Sequence, residues 1–280
     1  MKNILESLEH FDTTLEETNL CPVCKRPMMK WKEKLPNGSE RCSPICLVCG
    51  HKEMSQRNRK KEKVMADQSL KQNIINHTKN ISIIQDNSIW LKTFDNYKIV
   101  DEETSLAKQR SLFWAKEVIR KEPIHAVLIG KPGAGKTHLS GAMINYVLTG
   151  SNYKMECAIV SYQHLYDQIK LYMSDQKAKM QIQGSLLAAI KKCHFVVIDD
   201  LGAELGRMEE NNQATDFNVG IITSIAEARV NKATVYTTNL SSKQLIHAYG
   251  ERVFSRIMNK VDDGHVMKFE QTDDKRRNKI

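Results

Sequence analysis

Residues 130–137 read Gly-Lys-Pro-Gly-Ala-Gly-Lys-Thr, and no other stretch constrains the fold as strongly. The octapeptide fits G-x-x-x-x-G-K-[ST]. It follows the apolar run Ala126 to Ile129 and opens onto Lys136 to Leu148, a segment with helical patterning. Gly130, Gly133 and Gly135 let backbone amides turn toward phosphate oxygens with no side chain in the way. The helix that follows points the positive end of its dipole at the same place. Lys136 sets an ammonium on the β- and γ-phosphates, and Thr137 offers a hydroxyl to Mg2+. The loop therefore predicts a site for ATP and magnesium, lined by Gly130, Pro132, Gly133, Ala134, Gly135, Lys136, Thr137 and His138.

The apolar runs around this loop predict its scaffold. Ala126 to Ile129, Cys157 to Val160, Phe195 to Ile198, Thr234 to Tyr236 and Val266 to Phe269 read as five strands. Lys136 to Leu148, His164 to Met173, Gly184 to Lys191, Thr215 to Asn231 and Ser241 to Ala248 read as helices between them, the last with a capping box from Ser241 to Gln244. Ser105 to Lys121 is a further amphipathic helix, stopped by Pro123. Strands that are apolar throughout and alternate with helices imply a parallel sheet covered on both faces, a three-layer α/β/α core.

Two strand ends carry polar residues suited to the loop. Phe195 to Ile198 runs into Asp199 and Asp200. Asp199 is expected to order Mg2+, usually through water, and Asp200 to act as base or to position the attacking water, with Glu204 near enough in sequence to assist. Thr234 to Tyr236 runs into Thr237, Thr238 and Asn239, so that Asn239 or Thr238 could touch the γ-phosphate or that water.

The front of the chain has a different character. Five of the seven cysteines fall between Cys21 and Cys49. Cys21-Pro22-Val23-Cys24 and Cys46-Leu47-Val48-Cys49 form two C-x-x-C pairs, a spacing that closes a tetrahedral zinc site. Cys21, Cys24, Cys46 and Cys49 are the expected ligands; Cys42 could replace Cys46, and His51 could replace Cys49. A closed four-ligand site is structural and zinc-ribbon-like. Met1 to Thr18, with Ile4, Leu5, Leu8 and Phe11 at helical spacing, reads as a short amphipathic helix. Lys52 to Lys71 is polar and basic. The expected organisation is a zinc module over residues 1–52, a basic helical linker over 53–87 and an ATPase domain over 88–280. A net charge of +9 favours a polyanionic partner such as nucleic acid. No apolar run approaches a bilayer span and the N-terminus has no apolar signal core, so a cytoplasmic location is expected.

Taken together, the loop, Ile-Asp-Asp-Leu-Gly-Ala-Glu (Ile198 to Glu204), Thr-Thr-Asn-Leu (Thr237 to Leu240) and Gly-Glu-Arg-Val-Phe-Ser-Arg-Ile (Gly250 to Ile257) resemble the DnaC/DnaI family of replicative-helicase loaders. These are AAA+ ATPases of bacteria and their phages. Thr93-Phe94-Asp95 resembles their lead-in to the ATPase core, and the likeness covers roughly Ser88 to Ile280. It implies that Asn239 is the first sensor and that Arg256 is the arginine finger, with Arg252 as the rival. It implies that Arg276, or the adjacent Arg277, is the second sensor. It also implies little or no C-terminal lid. The partners it implies are a DnaB-type hexameric helicase gripped by the N-terminal module, single-stranded DNA, and copies of the chain itself in a ring or spiral. Tyr162, Tyr166, Lys170 and Tyr172 stand where related initiator-type ATPases line a channel for single strands.

Two other functions share these motifs. Helper ATPases of transposition have the same core and bind duplex DNA, although a zinc ribbon at the front is unusual for them. A zinc-bearing DNA-binding protein that uses ATP only as an assembly switch is the other.

Overall fold

The computed structural model describes residues 14–171, 182–206 and 213–275. Ile4, Leu5, Leu8 and Phe11 of the expected N-terminal helix, Tyr172 of the expected DNA contact, and Arg276 and Arg277 lie outside the described residues. The chain divides into two units, residues 1–70 and 71–280.

The first unit is built on a hairpin. β1 (Leu15–Leu20) pairs antiparallel with β2 (Pro27–Trp31). The expected helix over Met1 to Thr18 is thus corrected for Leu15 to Thr18, which form strand. The reason is the partner: Leu15 pairs with Trp31 and Glu16 with Lys30, whose ammonium reaches the Glu16 carboxylate at 3.1 Å. Met28, Cys21 and Cys46 form the small core. The helix α1 (Glu53–Ile81) leaves this unit and ends in the second.

In the second unit, α2 (Glu102–Ile119) starts at a capping box in which Asp101 accepts from the Thr104 amide at 2.7 Å. Then follow β3 (His125–Gly130), α3 (Lys136–Gly150), β4 (Cys157–Ser161), α4 (Tyr162–Leu171), α5 (Leu187–Lys192), β5 (Phe195–Leu201), α6 (Asp216–Ala228), β6 (Ala233–Thr238), α7 (Ser242–Tyr249), α8 (Glu251–Ile257) and β7 (Val266–Phe269). The five strands are parallel in the order β4-β5-β6-β3-β7. Before β4, Ile83 extends the sheet edge by a parallel bridge to Val160.

Alternation explains the unbroken apolar runs. Along β5, Phe195 and Val197 face a core formed with α2 and α3, whereas Val196 and Ile198 face one formed with α4 to α8. Each residue is buried on one side or the other, so none is polar until the strand ends. Three helices shift an end by about a turn; α2 begins at Glu102, where Asp101 caps it, rather than at Ser105. The segment before Leu187 is a π-type turn, Ile182–Leu186, so α5 begins later than Gly184. α6 ends at Ala228 rather than Asn231, because Arg229 turns inward to cap the helix and the strands beside it. Its guanidinium is fully buried and donates to Thr234 Oγ1 and to the carbonyls of Ile190, Cys193 and Ala233. The expected capping box at α7 is present.

Candidate nucleotide site and cysteine cluster

The order of the strands brings the site together. β3 lies beside β6, and β6 beside β5. The C-terminal ends of these three strands therefore stand side by side, the usual place for a ligand on an open α/β sheet.

Lys136 comes from the first turn of α3 and is 5% exposed. Its ammonium donates to the Gly130 carbonyl at 2.7 Å, to the Lys131 carbonyl at 3.1 Å and to Asn239 Oδ1 at 2.7 Å. Gly135, at φ 103°, precedes it as the N-cap, a conformation that glycine adopts without strain. Thr137 Oγ1 donates to Asp199 Oδ2 at 2.9 Å. Asp199 is 6% exposed, and burial, with Asp200 adjacent, pushes its carboxyl up to about 6. A divalent cation there would relieve both the burial and the repulsion.

Two residues that the sequence reading did not single out complete this cluster. Thr237 Oγ1 donates to Asp199 Oδ1 at 2.7 Å, and Ser140 Oγ lies 3.4 Å from the same oxygen. Ser140 was within reach of the sequence, since it stands one turn after Lys136 on α3 and shares its face. Thr237 needed the knowledge that β6 is the neighbour of β5.

Asp200 stands at φ 54° in a local register shift between β5 and β6. Its amide donates to Thr237 Oγ1 at 2.9 Å, so the same threonine fixes both acids. Thr238 donates to the Leu201 carbonyl at 2.7 Å and accepts from the Leu240 amide at 3.0 Å, which makes it a clip between strands and leaves Asn239 as the exposed polar group. Glu204 is fully engaged elsewhere: it accepts from the Gly202 amide, from Asn218 Nδ2 and from the Tyr249 hydroxyl.

His138 fastens the loop helix to the lead-in segment. Its Nε2 contacts the Thr93 carbonyl at 3.1 Å and Asn96 Oδ1 at 2.9 Å, and its ring meets Tyr97 edge-on. Burial lowers its pKa. Pro132 and Ala134 occupy the loop itself, with Ala134 buried.

Arg252 and Arg256 do not join this cluster. Both reach Glu227 Oε1 on α6, at 3.1 and 2.9 Å. The next residue, Ile257, offers its carbonyl to His125 Nδ1 at 3.3 Å, at the start of β3. Gly130 ends that strand, about 16 Å away at ~3.3 Å per residue. Both arginines are thus engaged with Glu227, and Arg256 adjoins the residue that meets the start of β3, the opposite end of that strand from the loop.

The expected stacking residues separate. Tyr162 is fully buried, with its hydroxyl on Asn218 Oδ1 at 2.7 Å, because Tyr162, Leu165 and Ile169 form the inner stripe of α4. Tyr166 lies against Phe217, and Lys170 is exposed.

In the first unit, Cys21, Cys24, Cys46 and Cys49 place their sulfurs within 4.8 Å of one another; Cys42 and His51 are outside the group. The Sγ–Sγ distances of 3.5 Å (Cys21–Cys49) and 3.4 Å (Cys24–Cys46) compare with edges of about 3.8 Å for a tetrahedron of thiolates at ~2.3 Å from zinc. The two C-x-x-C loops are near copies. Lys25 N donates to the Cys21 carbonyl and Gly50 N to the Cys46 carbonyl, at 2.9 and 2.8 Å. Lys25 and Gly50 both adopt left-handed backbone, at φ 59° and 70°. The Cys49 amide leads the interactions that hold the Cys46 thiol down at about 6, whereas burial and the neighbouring thiols push Cys49 up to about 12, so the metal-free cluster shares its protons unequally. The donor set fits zinc.

Residues 58–279 match the family described as IstB-like ATP binding protein. The chain belongs to this family. Its second unit has the P-loop α/β/α fold of the solved DnaC and DnaI structures. The crystal structure of the DnaC helicase loader superposes with a TM-score of 0.54 at 21% identity, over 66% of this chain and all of that one (100%). The DnaI structure superposes with a TM-score of 0.51 at 19% identity, over 69% of this chain and 96% of that one. Comparison with curated proteins gives no match. As a member of the IstB-like family the chain binds ATP. Among the described residues no helix is long and apolar enough to cross a membrane.

Proposed function

We propose that this protein is an ATP-hydrolysing loader that binds a hexameric replicative helicase in the cytoplasm and places it on single-stranded DNA. The observation that carries the proposal is the joining of two parts in one chain: an AAA+ core resembling DnaC and DnaI, and a four-cysteine unit ahead of it. The first part accounts for a nucleotide-driven cycle and the second for a grip on a client.

In this reading Gly130 to Thr137 cradle the triphosphate and Lys136 neutralises its β and γ oxygens. Thr137 and Asp199 would hold Mg2+, which when bound would supply positive charge beside those oxygens. Asp200 positions the attacking water and takes its proton as the bond to ADP breaks. Asn239 reports the γ-phosphate to β6. Arg256 serves the site of a neighbouring copy and thereby ties hydrolysis to assembly into a ring or spiral. Arg276 is kept as the second sensor. Cys21, Cys24, Cys46 and Cys49 hold structural zinc. Co-purification with the host helicase, with and without residues 1–71, tests the division of labour. Retention of the helicase by the truncated chain would refute it.

The family name favours one other reading, a transposition helper on duplex DNA. Binding of the purified protein to duplex in preference to helicase and single strands would select it.

A further inference from the structure

The segment Glu270 to Lys275 lies on the phosphate loop, and the nucleotide chemistry above gives it no task. One end is tied by Glu103, in the first turn of α2. The Glu103 carboxylate accepts the Glu270 amide at 3.1 Å, the Gln271 amide at 3.1 Å, the Thr272 amide at 2.9 Å and the Thr272 hydroxyl at 2.7 Å. These are charge-assisted bonds, the stronger kind. The other end is tied by Lys275. Its backbone N–H donates to the Gly133 carbonyl at 3.3 Å, and its ammonium donates to the Lys98 carbonyl at 2.9 Å. The same ammonium stands 4.0 Å from the centre of the Tyr97 ring. Tyr97 in turn packs on Gly135, and its buried hydroxyl has no hydrogen-bond partner.

Between the two ties, the carboxylate of Asp274 abuts Gly133 so closely that a Cβ at that glycine would overlap it. A loop of this kind is shaped for anions. A carboxylate held against it opposes the approach of a triphosphate by like charge. The two ties are unequal. Four bonds to an anion hold the Glu103 end, whereas the Lys275 backbone meets the loop through one long amide bond.

We propose that Asp273–Lys275 is a strap that incoming nucleotide lifts from the phosphate loop, with Thr272 as its hinge. Filling the site and re-placing the chain beyond Thr272, Arg276 included, are then a single event. The strap supplies the site with an outward signal that does not need hydrolysis. The inference rests on nucleotide binding at Gly130 to Thr137, and it fails separately from that reading.

The test uses the full chain, a fluorescent non-hydrolysable ATP analogue and Mg2+. Wild-type association rates are expected to level off with rising analogue, because the strap must open first. Asp274→Asn and Lys275→Met are expected to remove the plateau and tighten binding roughly 3- to 10-fold, as the fraction of open loops rises. A purely structural role for these side chains predicts the opposite, weaker binding on substitution. In parallel, hydrogen exchange on the wild type needs no variant. Saturating analogue is expected to deprotect the Lys275 amide while the Thr272 amide stays protected. Rates linear in analogue and equal across the three proteins would overturn the strap, and so would a Lys275 amide that gains protection. Absence of binding in all three would overturn the nucleotide site itself.

Discussion

Lys136 Nζ donates to Asn239 Oδ1 at 2.7 Å, across 103 positions of sequence. The bond joins the phosphate loop after β3 to the end of β6, and it holds the ammonium that a triphosphate would recruit. Bound phosphate would compete with Asn239 for this cation, so the amide is placed to register occupancy.

Asn239→Ala is therefore expected to leave nucleotide affinity within a few-fold and to lower hydrolysis by roughly 10²-fold, the usual loss for one transition-state donor. Lys136→Ala is expected to abolish binding. Titration calorimetry and steady-state phosphate release separate the two. Equal turnover in wild type and Asn239→Ala would remove the sensor role.

Arg256→Ala should bind ATP as wild type does and lose hydrolysis by 10³-fold or more, on the order of a missing arginine finger. Its ion pair with Glu227 is partly exposed, so the fold should weaken by no more than about 1 kcal/mol. Mixing the variant with Lys136→Ala subunits is the decisive measurement, since a finger acting across an interface restores activity at mixed junctions.

Cys46→Ser should release zinc and unfold the first unit while leaving the second unit's ATP binding intact. Cys42→Ser should do neither, because Cys42 is outside the sulfur cluster. A zinc-sensitive dye and near-ultraviolet circular dichroism report both.

The stability of the second unit should fall on acidification. His125 is held neutral by burial, with Arg229 nearby, which lowers its pKa below 6.5. A depressed base stabilises the fold fully above that unfolded value and ceases to do so as pH falls through the folded one. Urea midpoints between pH 7 and 5 should drop in wild type and drop less in His125→Gln. Parallel curves would show that His125 is not responsible.

The sequence by itself determined the phosphate loop, the five strands and the two cysteine pairs. Each is written locally, in a fixed run of glycines, in short apolar stretches or in a two-residue spacing. It could not determine β1, because Leu-Glu-Glu-Thr-Asn-Leu has no apolar alternation and becomes strand only against Pro27 to Trp31. It could not separate Cys46 from Cys42 or Cys49 from His51; folding did so by setting the second loop as a copy of the first. Nor could it show Thr237 on Asp199, Tyr162 inside rather than on DNA, or Glu103 anchoring the segment that crosses the loop. Those depend on which strands are neighbours and on which helix face meets the sheet. Such long-range pairings follow from burying all the apolar runs at once, and no single stretch of sequence carries that condition.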